Sequence, residues 1–223
     1  MLMVNQLIGF GVGQQSLSEL SFVASSTSTA STITLPAGIQ AGDLIVIYDT
    51  AASNNSTVPT SVVPSGFTPA LDQDFASSLA RRQIVSYKIA DGSESSAVVS
   101  IMSGTGASST AALVFRGDAP ISSVTPAGFT SQMTDGNPSA QVIPSGSGAV
   151  PLVAVAKWHV SGSGTAINPR TMSPSEDGEI TIAGSSDYYV KYKIYNSSPA
   201  DVTVDMDDEG SRNLLSSGYL AVA

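Results

Sequence analysis

The sequence predicts an all-β protein: a β-sandwich of jelly-roll or immunoglobulin-like topology, built from two internally duplicated halves behind an extended N-terminal arm. Three observations lead to this prediction. Short stretches alternate apolar and polar residues with the period of two that strands require. Turn-forming Gly, Pro, Ser and Asn separate these stretches. The segment VSYKIADGS at 85–93 also returns as VKYKIYNSS at 190–198, and without long helical patterns such strands favour packed antiparallel sheets.

The composition narrows the classes of function. Only 12% of the 223 residues are charged, about half the usual share, so uncharged polar residues must keep the surface hydrated, as is common in secreted and virion proteins. The net charge is −9, and no cluster of Lys or Arg is present, which disfavours nucleic acid and anionic membranes as partners. The absence of cysteine excludes disulfides, zinc–thiolate sites and a cysteine nucleophile.

The first element is an arm over residues 1–20. Its start, MLMVNQLIGFGVGQQ, is apolar but lacks the basic region and the cleavage site of a secretory signal, and it is too short to span a bilayer. An apolar terminus needs a surface to lie against. We therefore expect an assembly arm whose contacts are made by Leu2, Val4, Leu7, Ile8 and Phe10.

The repeated segment predicts a hairpin in each half. Its apolar positions match, in the two copies, as Val85 and Val190, Tyr87 and Tyr192, and Ile89 and Ile194, each pair 105 residues apart. A turn follows in both copies, and then a second alternating strand, AVVSI at 97–101 and VTVDM at 202–206. Order, spacing and strand phase therefore agree, which favours duplication over chance likeness.

An upstream segment extends the match. LPAGIQAGDLIVIY at 35–48 lies against IPSGSGAVPLVAVA at 143–156, with equal spacing from Pro36 to Leu44 and from Pro144 to Leu152. Each continuous apolar run predicts a strand that is buried on both faces. We expect a first β half over 21–119 and a second over 120–223, forming either two sandwiches or one merged sandwich.

Four segments of the first half carry a family resemblance. They are AGDLIVIYDT, PSGFT, RRQIVSYKIADGSES and TAALVFRGDAP. Together they resemble a recurrent β-rich domain of bacteriophage virion proteins, head decoration or tail-associated, that is also found in bacterial surface proteins. The resemblance covers residues 30–120 and marks a fold rather than a chemistry. It implies that Arg116 and Gly117, within an Arg-Gly-Asp tripeptide, form a strand end and not a cell-adhesion motif.

The sequence offers little for catalysis. Asp205, Asp207, Asp208 and Glu209 are weak candidates for a hard cation, but their spacing matches no known calcium loop, so an acidic solvated loop is the better interpretation. His159 is the single histidine, and we expect it to be exposed at a strand end. No nucleophile elbow accompanies it. The sequence therefore predicts no enzyme, no cofactor and no metal site.

Aromatic residues suggest sugar recognition as an alternative. Binding modules of the β-sandwich type stack aromatic rings on sugars, and Trp158, Tyr189 and Tyr195 are the candidates here. By strand alternation Tyr192 points inward, whereas Tyr189 and Tyr195 lie at the strand's margins.

Taken together, the residues and the resemblance lead us to expect a non-enzymatic virion structural protein. The favoured role is a capsid decoration protein on the particle exterior, attached partly through its arm. Its partners would be other virion proteins, above all the major capsid protein, and further copies of itself, with a trimer implied by the resemblance. The alternative is a carbohydrate-binding module associated with a tail or fibre and contacting host-surface glycans.

Overall fold

The computed structural model describes residues 17–53, 55–78, 80–101, 107–134, 138–145, 150–159, 170–182, 188–206 and 213–223. Strands make up all the regular structure in these ranges, and none of it is helical, which confirms the all-β prediction. The strands are β1 (Leu20–Ser28), β2 (Thr32–Thr34), β3 (Leu44–Ala52), β4 (Thr68–Phe75), β5 (Arg81–Ile89), β6 (Val98–Ser100), β7 (Ala107–Gly117), β8 (Val124–Thr134), β9 (Gln141–Ile143), β10 (Leu152–His159), β11 (Arg170–Ser173), β12 (Gly178–Thr181), β13 (Tyr188–Tyr195), β14 (Val202–Met206) and β15 (Asn213–Val222).

The strands form two large and two small antiparallel sheets. The first large sheet has the order β1-β7-β3-β5-β4, and the second has the order β8-β15-β10-β13-β12. In both, counting along the chain, the order is first, last, second, fourth, third. The small sheets are β2-β6 and β9-β14-β11, so each large sheet has a small sheet drawn from its own part of the chain.

Three apolar clusters lie between these sheets. The shared cluster draws residues from both large sheets, whereas each outer cluster joins one large sheet to its small sheet. β3 supplies Leu44, Val46 and Tyr48 to the shared cluster and Ile45 and Ile47 to an outer one. Because β3 and β10 lie at the centre of their sheets, both are buried along their whole length, as their continuous apolar runs predicted.

The two predicted copies differ by one residue before β10. Leu44 pairs with Ile89 and faces the shared cluster, but Leu152 faces an outer cluster. Val153 takes the corresponding place, since it pairs with Ile194 and faces the shared cluster. Equal spacing from the prolines therefore aligns opposite faces, because a shift of one residue turns every side chain of a strand over.

Candidate functional sites

The root of the arm is part of the folded body. Residues 1–16, with all five predicted contact residues (Leu2, Val4, Leu7, Ile8 and Phe10), lie outside the described residues, whereas Leu17 packs against the shared cluster and Leu20 is only 2% exposed. The carboxylate of Asp118 accepts hydrogen bonds from the Ser18 hydroxyl (2.6 Å) and from the backbone N–H groups of Ser18 (3.0 Å) and Glu19 (3.1 Å). These bonds lower the pKa of Asp118 to about 2, because they stabilise its charged form.

A second anchor holds the start of β1 from the other half of the chain. The Asn196 side chain accepts from the N–H of Leu20 (2.7 Å) and donates to its carbonyl (3.1 Å). One amide thus satisfies both backbone groups of Leu20 that point away from β7. The chain is therefore fixed at residues 18–20 by Asp118 on one side and by Asn196 on the other.

The Arg-Gly-Asp tripeptide is held by contacts within the molecule. Arg116 donates from Nε and Nη2 to the two carboxylate oxygens of Asp43, both at 2.7 Å, and from Nη2 to the Gly38 carbonyl at 2.9 Å. A side chain at Gly117 would collide with Leu17 and with the Ala119 carbonyl. A shallow cavity of about 160 Å³ adjoins this ion pair. Arg116 therefore holds the end of β7, and Asp118 holds the residues at the root of the arm.

The three aromatic residues predicted for sugar binding do not form one platform. Trp158 is fully buried in an outer cluster, and its Nε1 donates to the Asp205 carbonyl at 2.9 Å. Tyr189 lies opposite Trp158 in the β10–β13 pairing, with the Arg170 guanidinium 3.0 Å from its ring centroid. Tyr195 is 9% exposed at the far end of β13. Only Tyr189 among the three is more than marginally exposed.

The predicted acidic loop supplies no described metal site. Asp205 bonds the backbone N–H of Met206 through its own side chain at 2.8 Å, whereas Asp207, Asp208 and Glu209 lie outside the described residues. In the described ranges, no three His, Asp or Glu side chains come close enough to hold a cation together.

The expectation that His159 is exposed is wrong. The second large sheet packs its inner face against the first, so His159 is 1% exposed and Lys157, two residues before it, is 0% exposed. The Lys157 ammonium donates a short hydrogen bond to the Ser109 carbonyl on β7. The Tyr188 ring lies 4.2 Å from the His159 ring, centroid to centroid. We call Lys157, His159, Ser109 and Tyr188 the polar layer.

Burial sets the protonation of the polar layer. It lowers the pKa of Lys157 to about 7, partly offset by the negative charge of Asp49. It also lowers the pKa of His159 well below its usual value, and the nearby charges of Arg81 and Lys157 lower it further. His159 is therefore neutral at pH 7. The Nδ1 of His159 and the hydroxyl of Ser109 have no hydrogen-bond partner within the described part of the chain.

The polar layer is enclosed rather than presented to a substrate. Its side chains are all more than nine-tenths buried between the two large sheets, so neither the lysine nor the histidine meets bulk solvent. The burial of Lys157 was not predicted from the sequence, because a single lysine near the end of a strand is usually exposed to solvent. The available signal was strand alternation, which places Lys157 on the same face as Val153 and Val155.

Comparisons with protein-family models, with curated proteins and with solved structures find no match for this chain. Within the described ranges, no helix is of the length and apolarity needed to cross a membrane.

Proposed function

We propose that this chain is a non-enzymatic structural protein of a bacteriophage virion, and specifically a decoration protein on the capsid exterior that attaches partly through residues 1–16. We also propose that its body is an internally duplicated pair of β-sandwich halves. The identical strand order of the two large sheets supports the duplication, and the residues that resemble virion domains support the location.

The proposal rests on the arm root, residues 17–20, and on the segment that precedes it. Residues 1–16 are largely apolar and carry no charged side chain, and two independent anchors hold the residues that follow them in place. Anchoring lowers the entropy that the chain loses when the segment binds, because residues 18–20, which follow the segment, are already ordered. A segment of this kind is suited to attachment.

The body suits an exposed position on a particle. Its two large sheets and two small sheets bury a continuous series of apolar clusters, so the body is a compact scaffold with few charged groups outside. The net charge of −9 repels the phosphates of packaged DNA and thus favours the outer over the inner surface of a capsid. Residues of a capsid protein that bind the arm would be apolar.

The glycan-binding alternative draws less support from the positions of its residues. Trp158 has no exposed face on which a sugar ring could stack, and Tyr195 has almost none. Tyr189 is half-buried, but the Arg170 guanidinium occupies the space above its ring. Of the three predicted residues, only Tyr189 could contact a sugar, and the Arg170 guanidinium would first have to move off its ring.

Capsid binding by an arm-deleted chain tests the proposal. Full-length protein and a variant lacking residues 1–16 would each be mixed with purified capsids stripped of this protein, and the bound fraction measured by sedimentation. We expect the deletion to abolish binding while the body keeps its unfolding transition, because the cut precedes Leu17 and spares both anchors. A matched variant with Gln14→Ala and Gln15→Ala should bind normally. Equal binding by the full-length and deleted proteins would contradict the proposal.

A further inference from the structure

The outer edge of β1 differs from the other three edges of the large sheets. β1 (LSFVASSTS) has nine residues without a charge or a proline. β4 carries Pro69, Asp72 and Asp74, and β12 is four residues long. β8 carries Pro126 and an irregular register beside Tyr219. Charges, prolines, bulges and short length all discourage the addition of a further strand, and apart from one bulge near Val23 β1 has none of them.

The exposure of β1 fits an open edge. Each residue from Phe22 to Ser28 is half-buried, on both faces of the strand. A strand inside a sheet is covered on both sides by its neighbours, whereas an edge strand leaves the side of every residue open. β1 pairs with β7 along its length, and beyond Leu20 no described residue bonds the backbone groups that point away from β7. These groups can accept an added strand.

The arm has the sequence of a strand that could fill this edge. Ile8, Phe10 and Val12 alternate with Gly9 and Gly11 in the segment IGFGV, which is the period-two pattern of a strand with one apolar face. Residues 1–16 contain neither charge nor proline. Sixteen residues exceed the seven from Phe22 to Ser28, so the arm is long enough to cover the edge and still reach it from a neighbour.

The two anchors compete with a hairpin between the arm and its own β1. A hairpin that folded back on β1 would first pair at Leu20, but Asn196 already bonds both outward-facing groups of that residue. Asp118 holds the preceding N–H groups of Ser18 and Glu19. The residues that would form the turn and the first pair are therefore committed to other partners.

We infer that the outer edge of β1 binds the N-terminal arm of a second copy of this chain as an added β-strand. The inference rests on the proposed role of residues 1–16 as an assembly element and names the surface that this element binds. Exchange between two copies closes a dimer, and exchange in one direction around a ring closes a larger cyclic oligomer.

Paired variants of the full-length chain test the inference by light scattering behind a sizing column. Unaltered protein should be a dimer or a larger oligomer of the 22.7 kDa chain. Ser25→Lys with Thr27→Lys places two charges on the β1 edge and should give a monomer. Thr68→Lys with Gln73→Lys adds the same charge to the β4 edge, at two exposed positions, and should leave the oligomer unchanged. Urea unfolding of each variant verifies that the body is intact.

The arm is tested in the same way. Ile8→Asp with Phe10→Asp should give a monomer, whereas Gln6→Asp with Gln14→Asp adds equal charge at polar positions and should not. A labelled peptide of residues 1–16 should bind the Ile8→Asp, Phe10→Asp protein and should not bind the β1-edge variant. A monomeric full-length chain, or an oligomer that survives either the β1-edge or the arm variant, would overturn the inference.

The two proposals fail separately. If Ile8→Asp with Phe10→Asp removes capsid binding while self-association persists, the arm attaches to the capsid and the inference about β1 is wrong. If the same variant is monomeric yet binds capsids as well as the unaltered chain, the inference stands and the proposed attachment is wrong.

Discussion

The interface between the two large sheets is aromatic at one end and polar at the other. At the end where β1 begins, Phe22, Phe115 and Tyr192 pack ring against ring, with centroids 4.8–5.9 Å apart. At the other end, Lys157 and His159 are buried, and among the described residues no carboxylate forms an ion pair with the lysine. Aromatic packing stabilises a core, whereas burial of a cation that lacks an ion-pair partner costs free energy. The comparison indicates that the aromatic end stabilises the packing of the two large sheets.

Truncation at the aromatic end should have the largest effect. Phe115→Ala removes a ring that is 0% exposed and leaves a cavity between the sheets, so the free energy of unfolding should fall by about 3–5 kcal/mol. Urea denaturation measures the loss. Phe75→Ala, at a half-buried position on the outer strand β4, serves as the control and should lose less than half as much. Similar losses at the two positions would remove the distinction between the ends.

Removal of the buried cation should act in the opposite direction. Lys157→Met replaces a buried ammonium by an apolar side chain of similar length, so at pH 7 the free energy of unfolding should rise by roughly 1–4 kcal/mol. Lys193→Met, at a partly exposed lysine paired with Asp177, should change stability by less than about 1 kcal/mol. A destabilised Lys157→Met protein would mean that the bond to Ser109 outweighs the cost of burial.

The lowered pKa of Lys157 determines the sign of the pH dependence of stability, and the same variant tests it. The folded protein lowers the pKa of Lys157 to about 7, so between pH 7 and the usual lysine value near 10.4 the unfolded chain binds more protons. Stability should therefore rise with pH across this window, by at most about 1.4 kcal/mol per pH unit. Subtracting the Lys157→Met curve gives the contribution of Lys157 together with its effect on Asp49, whose pKa is raised by burial and lowered by the charge of Lys157. Parallel curves for the two proteins would contradict the assignment.

The smallest effect concerns the anchor beside the aromatic end. Asn196→Ala leaves the N–H and carbonyl of Leu20 without their partner, so the free energy of unfolding should fall by about 1–3 kcal/mol. Ser197→Ala, in the same turn and exposed, should change little. Hydrogen exchange at Leu20 offers a direct local measure, because its N–H should lose protection in the Asn196 variant alone. Unchanged exchange at Leu20 would show that β1 starts without this anchor.

Local patterns in the sequence predicted the strands well. The alternation in 85–89 and 190–194 was enough to place both strands and their inward faces, because one-sided burial determines the period. The equal spacing from Pro36 and Pro144 assigned Leu152 to the wrong face of its strand. Counted from these prolines to the first residue that faces the shared cluster, the loop before β10 is longer by one residue than the loop before β3, and a continuous apolar run does not show such a shift. Either face of a continuously apolar strand can pack inward, and the pairing with the neighbouring strands determines which face does so.

The candidate sites were harder to predict than the strands. Trp158 and His159 looked available because they end a strand before a Gly- and Ser-rich stretch, but packing of a small sheet buries Trp158 and packing of the first large sheet buries His159. Burial of this kind depends on contacts between strands far apart in the chain, which local spacing does not contain. Asp118 and Asn196 were missed for a related reason: their partners at the arm root lie 99 or more residues away.

The bond between Asn196 and Leu20 also determines how the chain tolerates carbohydrate. Asn196, Ser197 and Ser198 form an acceptor sequence for N-linked glycosylation, which modifies the side-chain nitrogen of the asparagine. That nitrogen donates to the Leu20 carbonyl in the folded body. A glycan attached in a eukaryotic secretory pathway would replace one of the two hydrogens on that nitrogen, so the bond to the Leu20 carbonyl can form only through the hydrogen that remains.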